Sequence, residues 1–211
     1  TIHMLSKIEN ENVNQIYEEI AEHFDVTRVN KWDWVVDFLD KFKDQELILD
    51  FGCGNGRNME HKNLKFIGID NCDKFVNICK EKGLNVLNSN ITNVKLSNQI
   101  ADGLICIAVF HHLSTHEHRI EALREMKRLV KPGGKILLSV WSINQPAKTR
   151  RIFNTYGKNI VSYNKNGNIY NRYYYIFELD EIKNLFEKSN LFLSKYYYDC
   201  GNEIFELKKI I

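Results

Sequence analysis

The sequence predicts an α/β domain, a doubly wound and mostly parallel sheet of seven strands with an antiparallel hairpin at its C-terminal end. Short apolar runs alternate with segments of helical periodicity through most of the chain, which is the pattern of a parallel sheet with helices on both faces. The last two strand-like runs follow each other directly, and directly joined strands pair antiparallel.

The elements follow in order along the chain. Strands are expected at 47–51, 65–70, 85–88, 102–109 and 135–141, with the hairpin at 191–198 and 203–210. Helices are expected at 13–24, 31–43, 55–61, 74–82, 116–130 and 180–189. The spacing Ser114-x-x-Glu117 predicts a capping box for the fifth helix. The sequence KPGG at 131–134 predicts the turn that ends it.

Length and composition favour one globular domain. The chain has 211 residues and is 44% hydrophobic, enough for a complete core. We expect the domain to span 4–211, with residues 1–3 a cloning remnant. Five cysteines form no C-x-x-C pair, which indicates no metal site and favours a reducing compartment, cytoplasmic or also nuclear. The longest apolar run, LICIAVF, is too short to cross a membrane.

Residues 50–58, DFGCGNGRN, predict a nucleotide site. Gly52, Gly54 and Gly56 follow a strand-like run, and glycine lets the chain take positive φ and lets a ligand approach the backbone. A strand, a glycine loop and a helix together form such sites. A lone G-x-G-x-G is also common in ordinary turns, so the loop needs support from a second feature.

That support comes from Asp70, which ends the second strand about twenty residues beyond the loop. A carboxylate there can accept hydrogen bonds from ribose hydroxyls, although Asp70 alone would serve equally to cap the next helix. Arg57 replaces the third glycine of the dinucleotide fingerprint, which weakens a NAD interpretation. The absence of G-K-[ST] excludes a phosphate loop. Asp50 is expected to hold the loop or to meet a cationic group of the ligand.

Four segments resemble the class I S-adenosylmethionine-dependent methyltransferases: ILDFGCGNGRN, FIGIDNCDKFV, ADGLICIAVFHHLST and LVKPGGKILLSVW. The resemblance implies S-adenosylmethionine as cofactor, a Rossmann-like fold and no bound metal. Many relatives have Asp where this chain has Asn90, whose carbonyl oxygen can still bond an adenine amino group. The implied cofactor residues are Asp50, Gly52, Cys53, Gly54, Gly56, Asp70, Asn71, Asn90, Ile91, Ala108 and Tyr17.

Other segments resemble one family within that class. IYEEIAEHFDVTR (16–28), AVFHHLSTHEHRIEALREMKRLVKPGGK (108–135), NRYYYIF (171–177) and YYDCGN (197–202) are similar to the tRNA wobble-uridine methyltransferases that esterify 5-carboxymethyluridine. In animals the same domain occurs fused to an AlkB-type hydroxylase. Two departures are Glu203, where many relatives have an aromatic residue, and a short segment after Trp141.

The resemblance also implies partners. The substrate would be the anticodon loop of a tRNA, whose splayed bases proteins read directly. A small zinc-binding activator protein is expected to pair with the strand from Asn85 to Asn88, which would lie at the sheet edge. No membrane partner is expected.

The acceptor chemistry needs little from the protein besides alignment. A carboxymethyl group has a pKa near ~4, so it is ionised at neutral pH and needs no general base. Arginine suits it best, because a guanidinium meets a carboxylate at two points. The catalytic candidates are Arg172, His111 and Arg28. The substrate-binding candidates are His112, Tyr173, Lys148, Arg150, Arg151, Asp199 and Asn202.

These residues also have plainer interpretations: surface arginines, loop-shaping histidines and core tyrosines. Residues 142–172, polar and turn-rich, form a substrate-side insertion with six basic residues and no acidic one, which favours RNA contact but also suits a solvated loop. Two other functions stay open. One is a methyltransferase for a small carboxylate, phenol or quinone precursor, and the other is a non-catalytic scaffold.

Overall fold

The computed structural model describes residues 5–210 and has the predicted α/β architecture. The proposed cloning remnant and both ends of the proposed domain lie outside the described residues. The strands are β1 (Leu47–Phe51), β2 (Lys65–Asp70), β3 (Val86–Asn88), β4 (Ala101–Ile107), β5 (Val130–Trp141), β6 (Gly157–Lys165), β7 (Asn168–Ile176), β8 (Phe192–Asp199) and β9 (Asn202–Lys208). The α-helices are α1 (Lys7–Glu9), α2 (Gln15–Thr27), α3 (Asp33–Leu39), α4 (Asp73–Glu81), α5 (His116–Leu129) and α6 (Leu179–Lys188).

The main sheet has seven strands in the order β3-β2-β1-β4-β5-β9-β8. The first five are parallel, and β9 runs antiparallel to both β5 and β8, which confirms the C-terminal hairpin. The strand order reverses beside β1, where Asp50 pairs with Gly68 on one side and with Ile105 on the other. Ligands of open α/β sheets bind beyond the carboxyl ends of the strands at such a point.

The core lies on both faces of this sheet, because successive strand residues point to opposite sides. Leu104 and Cys106 of β4 pack in the cluster that holds the buried faces of α5 and α6. Ile105 and Ile107 pack in the cluster on the other face, which holds α3. Within the described residues, no helix is long and apolar enough to span a membrane.

The N-terminal helix is longer than predicted. Lys7–Glu9, a π-helical turn at Asn10–Asn14 and Gln15–Thr27 run on without a break, where the sequence predicted a helix over 13–24 only. The missed signal is a capping box, in which the Ser6 side chain accepts from the Glu9 backbone and Glu9 accepts from Ser6 N. Because the helix starts early, its first turns cover a cavity at the carboxyl ends of the parallel strands.

Three local predictions were wrong. Residues 55–61 form turns rather than a helix, because Gly52, Gly54 and Gly56 all take positive φ. The cap of α5 is Thr115, which accepts from His118 N at 3.1 Å. KPGG does not separate helix from strand. Instead β5 begins directly after α5. Residues 131–134 form a bulge in β5, between two residue pairs of β4 and β5, Ala101–Val130 and Gly103–Lys135.

Residues 142–172 are more ordered than the predicted turn-rich insertion. Their second half forms β6 and the first part of β7, a separate antiparallel hairpin in which Tyr163 pairs with Tyr170. Asn166 and Gly167 at its tip both have positive φ, as a two-residue turn of this kind requires. The Asn-Gly pair was the sequence signal for this hairpin.

Candidate active site

A cavity opens at the carboxyl ends of β1, β2 and β4, and we call it the cofactor cavity. The N-terminal helix covers it with Leu5, Glu9, Val13, Asn14 and Tyr17. Nine of the predicted cofactor residues line it: Gly52, Cys53, Gly54, Asp70, Asn71, Asn90, Ile91, Ala108 and Tyr17. Two do not, Asp50 and Gly56.

The glycines of the loop have different roles. A Cβ at Gly54 would meet no atom within 4 Å, so this position is open to a ligand. A Cβ at Gly56 would lie 2.3 Å from Leu84 Cδ1, so packing requires glycine there, and its predicted ligand contact stays a prediction. At Gly52 a Cβ would lie 2.5 Å from Val109, so packing also excludes a side chain there.

Asp70 joins the glycine loop to the start of α4. Its Oδ2 accepts from Gly54 N and its Oδ1 from Cys72 N, each at 2.9 Å. Burial raises the pKa of this carboxyl to about 6, although these backbone N–H groups oppose the rise. Asp70 therefore holds the loop in place and also faces the cavity.

Asp50 precedes the glycine loop and does not line the cavity, so its predicted contact with the cofactor stays a prediction. Its buried Oδ2 accepts no hydrogen bond. Burial and the nearby Asp70 raise the pKa of Asp50 well above its usual range, while Arg57 opposes the rise. Arg57 lines the cavity, and sequence reasoning missed this because it treated the residue only as a missing glycine.

Glu9 fastens the N-terminal helix over the cavity. Its carboxylate accepts from His118 Nδ1 at 2.7 Å and from Ser114 N at 3.3 Å. Although burial acts to raise the pKa of Glu9, its hydrogen bonds with Ser6 and His118 hold that pKa below the usual value. Further along, Asn14 Nδ2 donates to the Asn71 carbonyl at 3.1 Å. The helix is thus tied to both the α5 side and the β2 side of the cavity.

A second cavity lies between α2, the β6–β7 hairpin and the segment before it, and we call it the arginine cavity. Four of its lining residues are Arg28, Arg150, Arg151 and Arg172. Among the residues that the structure describes, its lining includes no aspartate or glutamate. Such a surface attracts anions.

Arg172 is the most buried of these arginines, with 5% of its surface exposed. Burial acts to lower its pKa, but the nearby hydroxyls of Tyr174 and Tyr17 raise it above the usual value, so the guanidinium is charged. Its carbon Cζ lies 5.1 Å from the ring centre of Tyr163 and 5.2 Å from that of Tyr174. Nη1 donates to the Tyr17 hydroxyl at 3.4 Å, whereas the buried Nε has no partner among residues 5–210.

His111 and His112 lie between the two cavities, and both are neutral at pH 7. Burial lowers the pKa of His112 to about 4, and burial with the neighbouring His112 lowers that of His111 well below its usual value. His111 Nδ1 accepts from Trp141 N at 3.0 Å, so its proton is on Nε2, which is buried without a partner. Only His112 of the pair lines the cofactor cavity.

Tyr174, rather than the predicted Tyr173, takes part in this cluster. Tyr173 is buried and lines neither cavity, and it points to the face of β7 opposite to that of Tyr174. Tyr174 stacks on Trp141 at 4.1 Å between ring centres and contacts both histidines. The Arg151 guanidinium lies 4.0 Å from the Trp141 ring centre.

Three further candidates, Lys148, Asp199 and Asn202, line neither cavity. Asp199 and Asn202 belong to the β8–β9 turn, where Asn202 Nδ2 donates to the Asp199 carbonyl at 3.1 Å. Lys148 is exposed and lines neither cavity. The substrate contacts predicted for these residues stay predictions. Glu203, the departure noted above, is buried and accepts from Ser142 Oγ at 2.7 Å.

The strand β3 forms one edge of the main sheet, as predicted for the strand from Asn85 to Asn88. Among the described residues, no group of three or more His, Cys, Asp or Glu side chains is placed to hold a metal ion.

Comparison with known proteins defines the class first. Residues 49–138 match the methyltransferase domain family. The fold is similar to that of the S-adenosylmethionine-bound amino pentose methyltransferase CalS10 of Micromonospora echinaspora, with a TM-score of 0.68 and 18% identity over 90% of this chain and 96% of that one. The fold is therefore that of the class I S-adenosylmethionine-dependent methyltransferases.

Sequence relatives define the family. The tRNA (carboxymethyluridine(34)-5-O)-methyltransferase of Schizosaccharomyces pombe is 32% identical over 92% of this chain and 94% of its own length. The mouse enzyme of that name, ALKBH8, is 38% identical over 73% of this chain. The chain belongs to the tRNA (carboxymethyluridine(34)-5-O)-methyltransferase family. It spans 21% to 35% of the length of the mouse, macaque and Arabidopsis relatives.

Proposed function

We propose that the protein transfers a methyl group from S-adenosylmethionine to the carboxylate of 5-carboxymethyluridine at the wobble position of tRNA, giving the methyl ester. The observation that carries this proposal is Arg172, a buried guanidinium beside the cofactor cavity, in a cavity whose described lining includes no acidic residue. A buried cation without a counter-ion is costly. An anionic acceptor would offset that cost.

The cofactor cavity fits S-adenosylmethionine. Asp70 would accept the ribose hydroxyls, Asn90 would face the adenine, and the open position at Gly54 would admit the methionine moiety. The unpartnered carboxyl oxygen of Asp50 lies beneath the loop, where it would favour a nearby ammonium. When bound, the cofactor supplies an electrophilic methyl group on a sulfonium.

Two residues connect the cavities. Tyr17 and His112 line the cofactor cavity, and Tyr17 also accepts the hydrogen bond from Arg172. Arg172 would hold the acceptor carboxylate with its oxygen directed toward the cofactor cavity. Alignment of this kind can supply several kcal/mol, and roughly 7–11 kcal/mol in ideal cases.

The electrostatics suit a nucleophile that is already ionised. A carboxylate needs no base, and both histidines have lowered pKa values that make them poor bases. Their neutrality also avoids adding positive charge next to a sulfonium. The protein's task is to orient the reactants and exclude water.

The rest of the arginine cavity would receive the RNA around the modified base. Arg28, Arg150 and Arg151 suit phosphate oxygens, which arginine binds at two points. Lys148 and Lys158 extend this positive surface outward, where they are exposed. An anticodon loop, with its unstacked bases, suits this arrangement.

The β3 edge is the proposed docking position of the small zinc-binding activator. Backbone groups on the outer side of an edge strand are free to pair with another chain. The cysteines, all free, are consistent with a proposed cytoplasmic or nuclear location.

The test compares acceptors at equal cofactor concentration. Methyl transfer is measured to tRNA carrying 5-carboxymethyluridine, to the same tRNA with unmodified uridine, and to small carboxylates. Transfer to the first alone is expected. Transfer to small carboxylates instead would replace this proposal with a small-molecule methyltransferase, and failure to bind S-adenosylmethionine would indicate a scaffold.

A further inference from the structure

The Tyr17 hydroxyl lies where the two cavities meet. It is 3.1 Å from His112 Nε2, 3.4 Å from Arg172 Nη1 and 3.5 Å from the Tyr174 hydroxyl. Tyr17 itself extends from the N-terminal helix into the lining of the cofactor cavity. One hydroxyl thus contacts groups that belong to both sides of the reaction.

His112 fixes the direction of this hydroxyl. His112 Nδ1 lies 2.9 Å from the Tyr173 carbonyl oxygen, which can only accept, so Nδ1 carries the proton. The neutral ring then has a bare Nε2, and Tyr17 must donate its O–H to it. The lone pairs of the Tyr17 oxygen are left to accept from Arg172 and Tyr174.

The consequence for Arg172 is a defined free edge. Nη1 donates to the Tyr17 hydroxyl. The N–H groups of Nε and Nη2 lie parallel to each other on another edge of the guanidinium. Nε is buried and makes no hydrogen bond to any residue that the structure describes. Two parallel N–H groups on one edge match the two oxygens of a carboxylate. The hydrogen-bonded chain from His112 through Tyr17 therefore determines which edge is presented.

We propose that Tyr17 is a positioning residue for the acceptor, which holds Arg172 so that its Nε–Nη2 edge meets the acceptor carboxylate. This inference rests on the proposed function of Arg172. It adds a role on the acceptor side to a residue that also lines the cofactor cavity. The N-terminal helix that covers the cofactor thereby also sets the geometry of the acceptor site.

The substitution Tyr17→Phe tests this role, because it removes the hydroxyl and keeps the ring. The ring contacts with Phe24 and Phe75, at 5.8 and 5.9 Å, do not involve the hydroxyl. Single-turnover transfer at saturating cofactor should slow roughly 10- to 100-fold, the effect of one hydrogen bond to a charged group. The Kd for S-adenosylmethionine should stay within about twofold.

The matched control is Tyr175→Phe on β7, whose hydroxyl donates to Glu181 at 2.8 Å outside both cavities. It should transfer at the wild-type rate. A control that slows transfer as much as Tyr17→Phe does would show a general effect of hydroxyl loss and overturn the proposal.

A double-mutant cycle separates positioning from other effects. In an Arg172→Ala background, Tyr17→Phe should slow transfer less than about twofold, since the group it positions is gone. The same 10- to 100-fold loss in both backgrounds, or a loss confined to cofactor affinity, would overturn the proposal. A wild-type protein that does not methylate the carboxymethyl tRNA would instead refute the proposed function, so the two failures are distinguishable.

Discussion

The two cavities differ in charge and in the elements that build them. The cofactor cavity lies at the ends of parallel strands, and its lining includes the acidic residues Glu9 and Asp70 together with the basic residue Arg57. The arginine cavity lies against a separate hairpin, and its described lining has four arginines without an acidic residue. The first suits a cationic ligand and the second an anionic one.

This difference matches the proposed reaction, in which a sulfonium and a carboxylate neutralise each other. Each cavity would stabilise one charge before transfer, and Tyr17 and His112 lie where the two cavities meet. Because both charges disappear, interactions that hold them too tightly would slow transfer, so binding must mainly orient the reactants. Substitutions should therefore affect either cofactor binding or acceptor handling, but not both.

The largest effect is expected at Arg172. Arg172→Ala should raise the activation free energy of methyl transfer by about 2–5 kcal/mol, because it removes one partner of a buried charge pair. That range is roughly 30- to 5,000-fold in rate. Arg172→Lys should also be severely impaired, since an ammonium lacks the two-point edge. Single-turnover transfer and the cofactor Kd are the measurements, and an equally large loss of cofactor affinity would contradict the separation of the cavities.

The complementary effect is expected at Asp70. Asp70→Ala should weaken S-adenosylmethionine binding roughly 10- to 100-fold for each lost hydrogen bond to the ribose. In the wild type, affinity should fall as the pH is lowered through about 6, where this carboxyl gains a proton. Calorimetric titration from pH 5 to 8 measures both, and a pH-independent affinity would remove the Asp70 carboxylate from the binding energy.

The raised pKa of Asp70 makes the stability of the unliganded protein change with pH in the opposite direction to the cofactor affinity. The folded protein without cofactor binds a proton at Asp70 more tightly than the unfolded chain does. This stabilisation is complete below the ordinary aspartate pKa near ~4 and is lost as the pH rises through about 6. Cofactor binding should therefore strengthen over the pH range in which the unliganded protein loses this contribution.

A smaller effect is expected for RNA binding. Replacing Arg150 and Arg151 together by alanine should reduce the slope of log affinity against log salt by about 1.4, which corresponds to about 0.7 per phosphate contact for single-stranded RNA. Cofactor affinity should not change. The control is Lys188→Ala in α6, an exposed cation that lines neither cavity. An unaltered slope for the double variant would assign these arginines to a solvated loop.

The smallest expected effect is that of pH on the chemical step. Because both histidine pKa values are lowered and the acceptor is ionised, single-turnover rates at saturating cofactor and tRNA should be flat from pH 6.5 to 8.5. A rise in rate with an apparent pKa near 7 would reveal a titrating base and contradict the role of a preformed carboxylate.

The sequence predicted the cofactor cavity better than the arginine cavity, and the reason is physical. Gly54 and Asp70 are neighbours in space because adjacent parallel strands end at the same edge, so a pattern local in sequence implied the contact. Arg28, Arg151 and Arg172 meet through the packing of a helix end, a loop and a hairpin. Residue type identified these arginines, but no periodicity in the sequence fixes that packing.

The errors within the site have the same origin. Tyr173 and Tyr174 differ only in the face of β7 on which they lie, and that face depends on how the hairpin packs. The Asn-Gly turn predicts a hairpin but not its orientation on the domain. The cover from Leu5 to Asn14 could have been found from the capping box at Ser6 and Glu9, which marks the true start of the helix.

The most direct test of the carboxylate acceptor identifies the bond that is formed. Labelled methyl is transferred from S-adenosylmethionine to tRNA carrying 5-carboxymethyluridine, and the purified RNA is then treated with mild alkali. The label should be released as methanol, because an ester hydrolyses. Label that stays on the RNA would be a methyl on carbon, nitrogen or ether oxygen, and it would contradict the assignment of the arginine cavity to a carboxylate.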